Sequence, residues 1–132
     1  MNQYLWTAGI LCLLLGLTHS ILGEVLIFKN KKEGKNIIPT IVIPKLKERH
    51  LRILWATWHL TSFFGWCMGV ILIKIATIQT QVHTELVQFI LTSIALTMLC
   101  SSLLVFIATK GKHLGWAILL IIGILTLLET LK

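Results

Sequence analysis

Charge is scarce in this chain. Only 13% of its 132 residues are Asp, Glu, Lys or Arg, about half the roughly 25% of an ordinary soluble domain. Cysteine is limited to Cys12, Cys67 and Cys100, an odd number within apolar stretches, which argues against a disulfide framework. The three read as buried small side chains unless a cofactor claims one. Proline occurs only as Pro39 and Pro44, which together forbid a regular helix between them. Compact enzyme signatures are missing as well. There is no C-x-x-C or H-E-x-x-H, Lys110-Gly111-Lys112 does not complete a P-loop, and no Gly-x-Ser-x-Gly elbow or dinucleotide fingerprint occurs. Met1 to Trp6 has no basic flank and no A-x-A site follows the first apolar run, so that segment is predicted to be a retained helix rather than a cleaved signal peptide.

What fills the chain instead is hydrocarbon: 56% of residues are apolar and the mean hydropathy is +0.88. The charges cluster and leave apolar blocks at 4–28, 53–78, 86–109 and 114–131, each near the roughly 18 to 25 residues that cross a bilayer as a helix. The expected fold is therefore all-α, a single domain of four transmembrane helices in a compact antiparallel bundle.

The net charge of +7 is a topology signal, with no nucleic-acid partner implied, because the basic residues sit beside the apolar spans. Lys29, Lys31, Lys32, Lys35, Lys45, Lys47, Arg49 and Arg52 share one loop with Glu33 and Glu48, and Lys110 and Lys112 occupy the last loop. The opposite side has only Lys74 and Lys132. Positive charge is retained on the cytoplasmic side, so both loops are expected in the cytoplasm and both termini outside. The expected location is a bacterial plasma (inner) membrane, with multiple passes. Within the long loop, Ile37 to Pro44 is apolar between basic runs. An extended segment at the membrane surface, with Lys29, Lys31, Lys32, Lys45, Lys47 and Arg49 toward anionic phospholipid headgroups, is favoured; a short strand or partner interface is the alternative. His50 and His83 are predicted in loops.

Periodicity refines the bundle. Gly9, Cys12, Gly16, His19 and Gly23 recur at steps of three and four along one face of the first helix, and Arg52, Trp55, His59, Ser62, Trp66 and Gly69 do so on the second. Glycines on one face meet aromatics on the other, so the two are expected to be complementary. Gly65/Gly69 and Gly111/Gly115 form G-x-x-x-G pairs, and the third helix offers Ser93, Thr97, Cys100 and Ser101; small residues let helices approach closely in lipid. Trp6, Trp116 and Tyr4 read as interfacial anchors, and Trp58 and Phe63 as facing lipid or a neighbouring helix.

Counted from the cytoplasmic ends, His19, His59 and Cys100 each lie about 12 to 13 Å deep and Glu24 about 6 Å deep, with Arg52 and His113 near the interface. Ionisable groups in a membrane are costly and mark functional sites by default. Three chemistries fit, and the leading expectation is a cofactor, haem or metal, held by His19 and His59 with Glu24 and Arg52 in support; the cofactor-free cavity is an alternative. Haem b needs two imidazoles at matched depth, which His19 and His59 offer. A transition metal could draw on His19, His59, Glu24, His113 and Cys100. A cofactor-free cavity could bind or isomerise a lipid-like molecule, with Glu24 or a His as acid/base and Arg52 toward an anionic headgroup. Trp55 and Ser62 would support any of these. In the non-catalytic alternative, Glu24 pairs with Arg52, and His19 and His59 bond to Ser62 or Ser101, merely to lock the bundle of a membrane-complex subunit; a homo-oligomer is a further possible assembly.

With Thr18-His19-Ser20-Ile21-Leu22-Gly23-Glu24, Leu54-Trp55-Ala56-Thr57-Trp58-His59-Leu60-Thr61-Ser62 and Thr109-Lys110-Gly111-Lys112-His113-Leu114-Gly115-Trp116, the chain resembles a group of short, uncharacterised bacterial integral membrane proteins with four helices. That resemblance implies a fold and no activity. A looser likeness to sterol-isomerase-type membrane bundles, which place His, Glu and Trp in an intramembrane cavity, carries no residue across.

Overall fold

The computed structural model describes residues 2–29, 47–78 and 85–131. They form four helices: α1 (Gln3–Leu22), continued by a π-helical turn over Gly23–Phe28, α2 (Glu48–Thr77), α3 (Glu85–Thr109) and α4 (Gly115–Thr130). The Ile37 to Pro44 segment, Lys31, Lys32, Lys45 and His83 lie outside the described residues.

Local chemistry sets the ends. The Asn2 side chain accepts the Leu5 N–H at 3.2 Å and caps α1, while the Asn2 N–H donates to the Ala76 carbonyl at 3.0 Å, so the start of α1 is tied to the end of α2. Helix α2 begins after an extended Lys47, earlier than the apolar block alone predicts. Glu48 in its first turn complements the helix dipole and pairs with Arg52 one turn on, at 3.5 Å. His50 is accordingly helical, not in a loop. The chain leaves α3 through a Schellman closure: Gly111 N–H donates to Phe106 O at 2.9 Å and Lys110 N–H to Ile107 O at 3.2 Å. Lys110 and Gly111 take φ of 51° and 73°. Gly111 and Gly115 therefore flank a turn, and their expected role as a helix-packing pair is replaced by turn geometry.

Three helices, counting α1 with its π turn, are long and apolar enough to cross a membrane; α4, with 16 residues, is a shorter apolar helix. Helix α1 packs along α2, α3 along α4, and α1 also against α4, whereas α2 and α3 touch only sparsely. The pairs are antiparallel. Gly9 meets Gly69 and Ile73 while Gly23 meets Trp58; Gly123 meets Leu99 and Ala95 while Ser102 bonds Trp116.

The shared core gathers Leu5, Ala8 and Cys12 of α1, Leu72, Ile75 and Ala76 of α2, Leu91, Ile94 and Met98 of α3, and Ile122 of α4. Around it the exterior is apolar rather than charged: Leu14, Leu17, Ile21, Phe63, Phe64, Leu96, Leu103, Leu104 and Ile107 are all exposed. An apolar coat on this scale suits hydrocarbon and not water. Cys67 and Cys100 also lie on exposed faces, and of the three cysteines only Cys12 is buried. Their expected burial fails for a simple reason: in lipid a small apolar side chain gains little by turning inward, so hydrophobicity does not separate core from coat.

Candidate functional site

The α1–α2 seam is built by glycines receiving bulky side chains. A Cβ on Gly9 would come within 2.6 Å of Ile73 Cγ1 and 2.9 Å of the Gly69 carbonyl, and one on Gly16 within 2.6 Å of Trp66 Nε1. At Gly23 a Cβ would collide with the Trp58 indole. The indoles are anchored as well as packed: Trp66 Nε1–H donates to Leu13 O at 3.2 Å and Trp58 Nε1–H to His19 O at 2.9 Å. These carbonyls already belong to the helix, and their second lone pair takes the indole hydrogen.

Toward the carboxyl end of α1 the seam becomes polar. Ser20 Oγ lies 2.7 Å from His59 Nδ1, His59 Nε2 is 3.5 Å from Glu24 Oε2, and Trp55 Nε1–H donates to that carboxylate oxygen at 3.1 Å. The chain Ser20–His59–Glu24–Trp55 crosses between the helices three times. The Nε2–carboxylate approach at 3.5 Å is longer than a hydrogen bond; with the ring proton on Nε2, Nδ1 accepts the Ser20 hydroxyl. The group is half-buried, with side-chain exposures of 18% for His59 and 33% for Glu24.

Two aromatics frame it. The His19 ring lies flat on Trp58, with centroids 4.4 Å apart and planes at 6°. Phe28, 1% exposed, meets Trp58 edge-on at 6.0 Å and His59 at 6.4 Å. The π turn is what brings Phe28 there. Its wider i to i+5 repeat carries the inward face from Gly23 to Phe28, while Leu26 and Ile27, where α-helical spacing would continue that face, are exposed.

The remaining predicted residues separate. Arg52 reaches Glu48, its helical neighbour, instead of Glu24; Glu24 is engaged by Trp55 and His59. Arg52 lies with Arg49, Glu48, Ile53 and Ala56 along an open depression of about 580 Å³ on the outer face of α2. Lys29, exposed, closes the π turn through its N–H to Glu24 O. His113 accepts the Gly115 N–H on Nδ1 at 3.0 Å and so caps the start of α4. Ser62 is 2% exposed and its hydroxyl has no hydrogen-bond partner among the described residues, so it is not the expected partner of a histidine. Cys100 sits on an exposed face of α3. No motif in the sequence marks Ser20 or the π turn; the i, i+4 spacing of Ser20 and Glu24 is the one signal it offers.

A haem between α1 and α2 does not fit this packing. The glycine face that could admit a macrocycle is filled by Trp58 and Trp66. Among the described residues, no group of three or more His, Cys, Asp or Glu side chains is arranged to hold a metal ion; His59 and Glu24 form the nearest donor pair. Comparison with protein-family models, curated proteins and solved structures found no match to this chain.

Proposed function

We propose that this chain is a multi-pass protein of the bacterial plasma membrane, with both termini outside, that binds a lipid-like molecule at the cytoplasmic end of the α1–α2 seam and exchanges protons with it. The observation that carries this reading is the Ser20–His59–Glu24–Trp55 chain. A linked base and carboxylate, half-buried in an apolar coat, are expensive to keep in hydrocarbon, and together they can take up and release a proton. Arg49 and Arg52, on the same end of α2, are suited to an anionic headgroup. The orientation rests on the basic residues of the 29–52 and 110–113 loops. An Asn36→Cys variant is expected to be shielded from an impermeant thiol reagent added outside, and labelling there would reverse the orientation.

A bifunctional photoreactive phospholipid in reconstituted membranes tests the ligand. Cross-links to peptides carrying Ser20–Phe28 and Trp55–His59, lost in a folded His59→Ala variant, support the reading. Cross-links spread evenly over the apolar coat would sink it. A second reading, a divalent transition metal bridging His59 and Glu24, draws on their 3.5 Å separation. Stoichiometric metal in purified protein, absent from the His59→Ala variant, would favour that reading instead. A visible Soret band would overturn both.

A further inference from the structure

The proton chain begins on a hydroxyl, and that suggests chemistry beyond proton exchange. A hydroxyl within hydrogen-bond reach of an imidazole, itself oriented by a third group, is the general arrangement of an activated nucleophile. Here the hydroxyl is Ser20, the base is His59 through Nδ1 at 2.7 Å, and Glu24 faces the opposite nitrogen at 3.5 Å. Trp55 holds the carboxylate at 3.1 Å. Stacked His19–Trp58 and the edge of Phe28 bound the same space.

Depth selects the substrate class. Helix α1 with its π turn spans 26 residues, about 39 Å, against roughly 30 Å of bilayer hydrocarbon. Ser20 lies about 12 Å from the Phe28 end. Part of that distance is overhang, so the hydroxyl sits within about two helical turns of the level where glycerolipid ester carbonyls lie. A soluble ester would have to leave water to reach it, whereas a lipid ester is already nearby.

We propose that Ser20 is an acyl-accepting nucleophile for ester-linked membrane lipids, with His59 as its base and Glu24 as a positioning residue. This rests on the lipid-binding reading above and names the reaction at that site. Ser20 Oγ bonds to the ester carbonyl carbon as its proton passes to His59 Nδ1. The bond from that carbon to the alcohol oxygen then breaks, the leaving oxygen takes the proton from His59, and the acyl group remains on Ser20. Water attacks this serine ester, giving one proton to His59, and the fatty acid leaves as Ser20 Oγ recovers that proton. No electron changes hands.

The test is a fluorophosphonate probe on the full chain in reconstituted membranes, with the adduct mapped by peptide mass. A single adduct on Ser20, lost in Ser20→Ala, is the expected result. Glu24→Gln is expected to slow labelling at least tenfold and to change its pH profile, which a purely structural carboxylate would not do. A folded wild type that carries no adduct, or an adduct that persists in Ser20→Ala, overturns the proposal. Because the adduct is mapped on the wild type, the result does not depend on the variants folding. Photolipid cross-linking without an adduct sinks the nucleophile and leaves the lipid site standing. An adduct without specific cross-linking keeps the nucleophile and sinks the lipid site.

Discussion

Trp58 holds His19 by two contacts at once: its indole lies 4.4 Å from the imidazole and parallel to it, and its N–H donates to the His19 carbonyl at 2.9 Å. One side chain thereby fixes both the ring and the backbone of the residue beside Ser20. The two contacts can be separated by mutation. Trp58→Phe keeps an aromatic face and loses the hydrogen bond, and is expected to cost about 1 kcal/mol. Trp58→Ala also empties the seam opposite Gly23 and is expected to cost about 3 kcal/mol or more. Reversible unfolding in mixed micelles, measured side by side, checks both; equal losses would mean that the ring contact contributes nothing.

Gly65 and Gly69 form one sequence motif and have opposite surroundings. A Cβ on Gly69 would stand 2.9 Å from the Gly9 carbonyl and 3.1 Å from Cys12 Cβ, whereas one on Gly65 meets nothing closer than the Cys12 carbonyl at 3.9 Å. Gly69→Ala therefore pushes backbone from backbone and is expected to cost about 1 to 3 kcal/mol. Gly65→Ala fits, and is expected to be neutral or to gain up to about 1 kcal/mol from helix propensity. Thermal denaturation of the two variants should differ in sign or in clear rank, and similar losses would refute the close approach at Gly69.

Ser102 and Trp116 join α3 to α4 through a short bond, Ser102 Oγ–H to Trp116 O at 2.7 Å. Interhelical bonds of this kind contribute about 0.6 kcal/mol on average in membranes. Ser102→Ala is expected to lose about that much and no more, because the carbonyl keeps its helical partner and alanine fills most of the space. A loss of several kcal/mol in the same unfolding assay would show that the hydroxyl is a hub of the α3–α4 pair.

The seam was legible because its code is local. Glycines and aromatics at steps of three and four name the faces, and Gly9, Gly16 and Gly23 do meet Ile73, Trp66 and Trp58. Pairings within the site were less so. Arg52 could reach Glu24 or Glu48 by spacing, and the helical i+4 neighbour won because no loop or interface has to close for that contact to form. Ser20 is not marked in the sequence, because a single serine in an apolar helix carries no signal until the opposite helix is in register. The π turn was hidden too: an extra residue per turn changes no composition, yet it decides that Phe28 and not Ile27 faces His59. The exposed Cys67 and Cys100 mark a further limit, since a membrane protein's coat and core draw on the same residues.

Lys110 occupies a backbone conformation that suits glycine. Its φ of 51° lies in the left-handed region, at the position of a Schellman closure where glycine is preferred because a Cβ is crowded there. The following Gly111, at φ 73°, has the edge of Phe106 at 3.1 Å from where a Cβ would stand, so the turn has already placed its one glycine at the second position. Lys110→Gly is expected to stabilise the chain by about 1 kcal/mol, and Gly111→Ala to destabilise it by at least as much through strain and contact with Phe106. In the proposed orientation the lysine also counts toward the positive charge that would hold this turn on the cytoplasmic side, so the stability gain should come with weaker orientation. Unfolding measurements read the first effect, and protease accessibility of the turn in oriented vesicles reads the second. A Lys110→Gly variant that is less stable than wild type would show that the lysine side chain, rather than the backbone, is what the turn depends on.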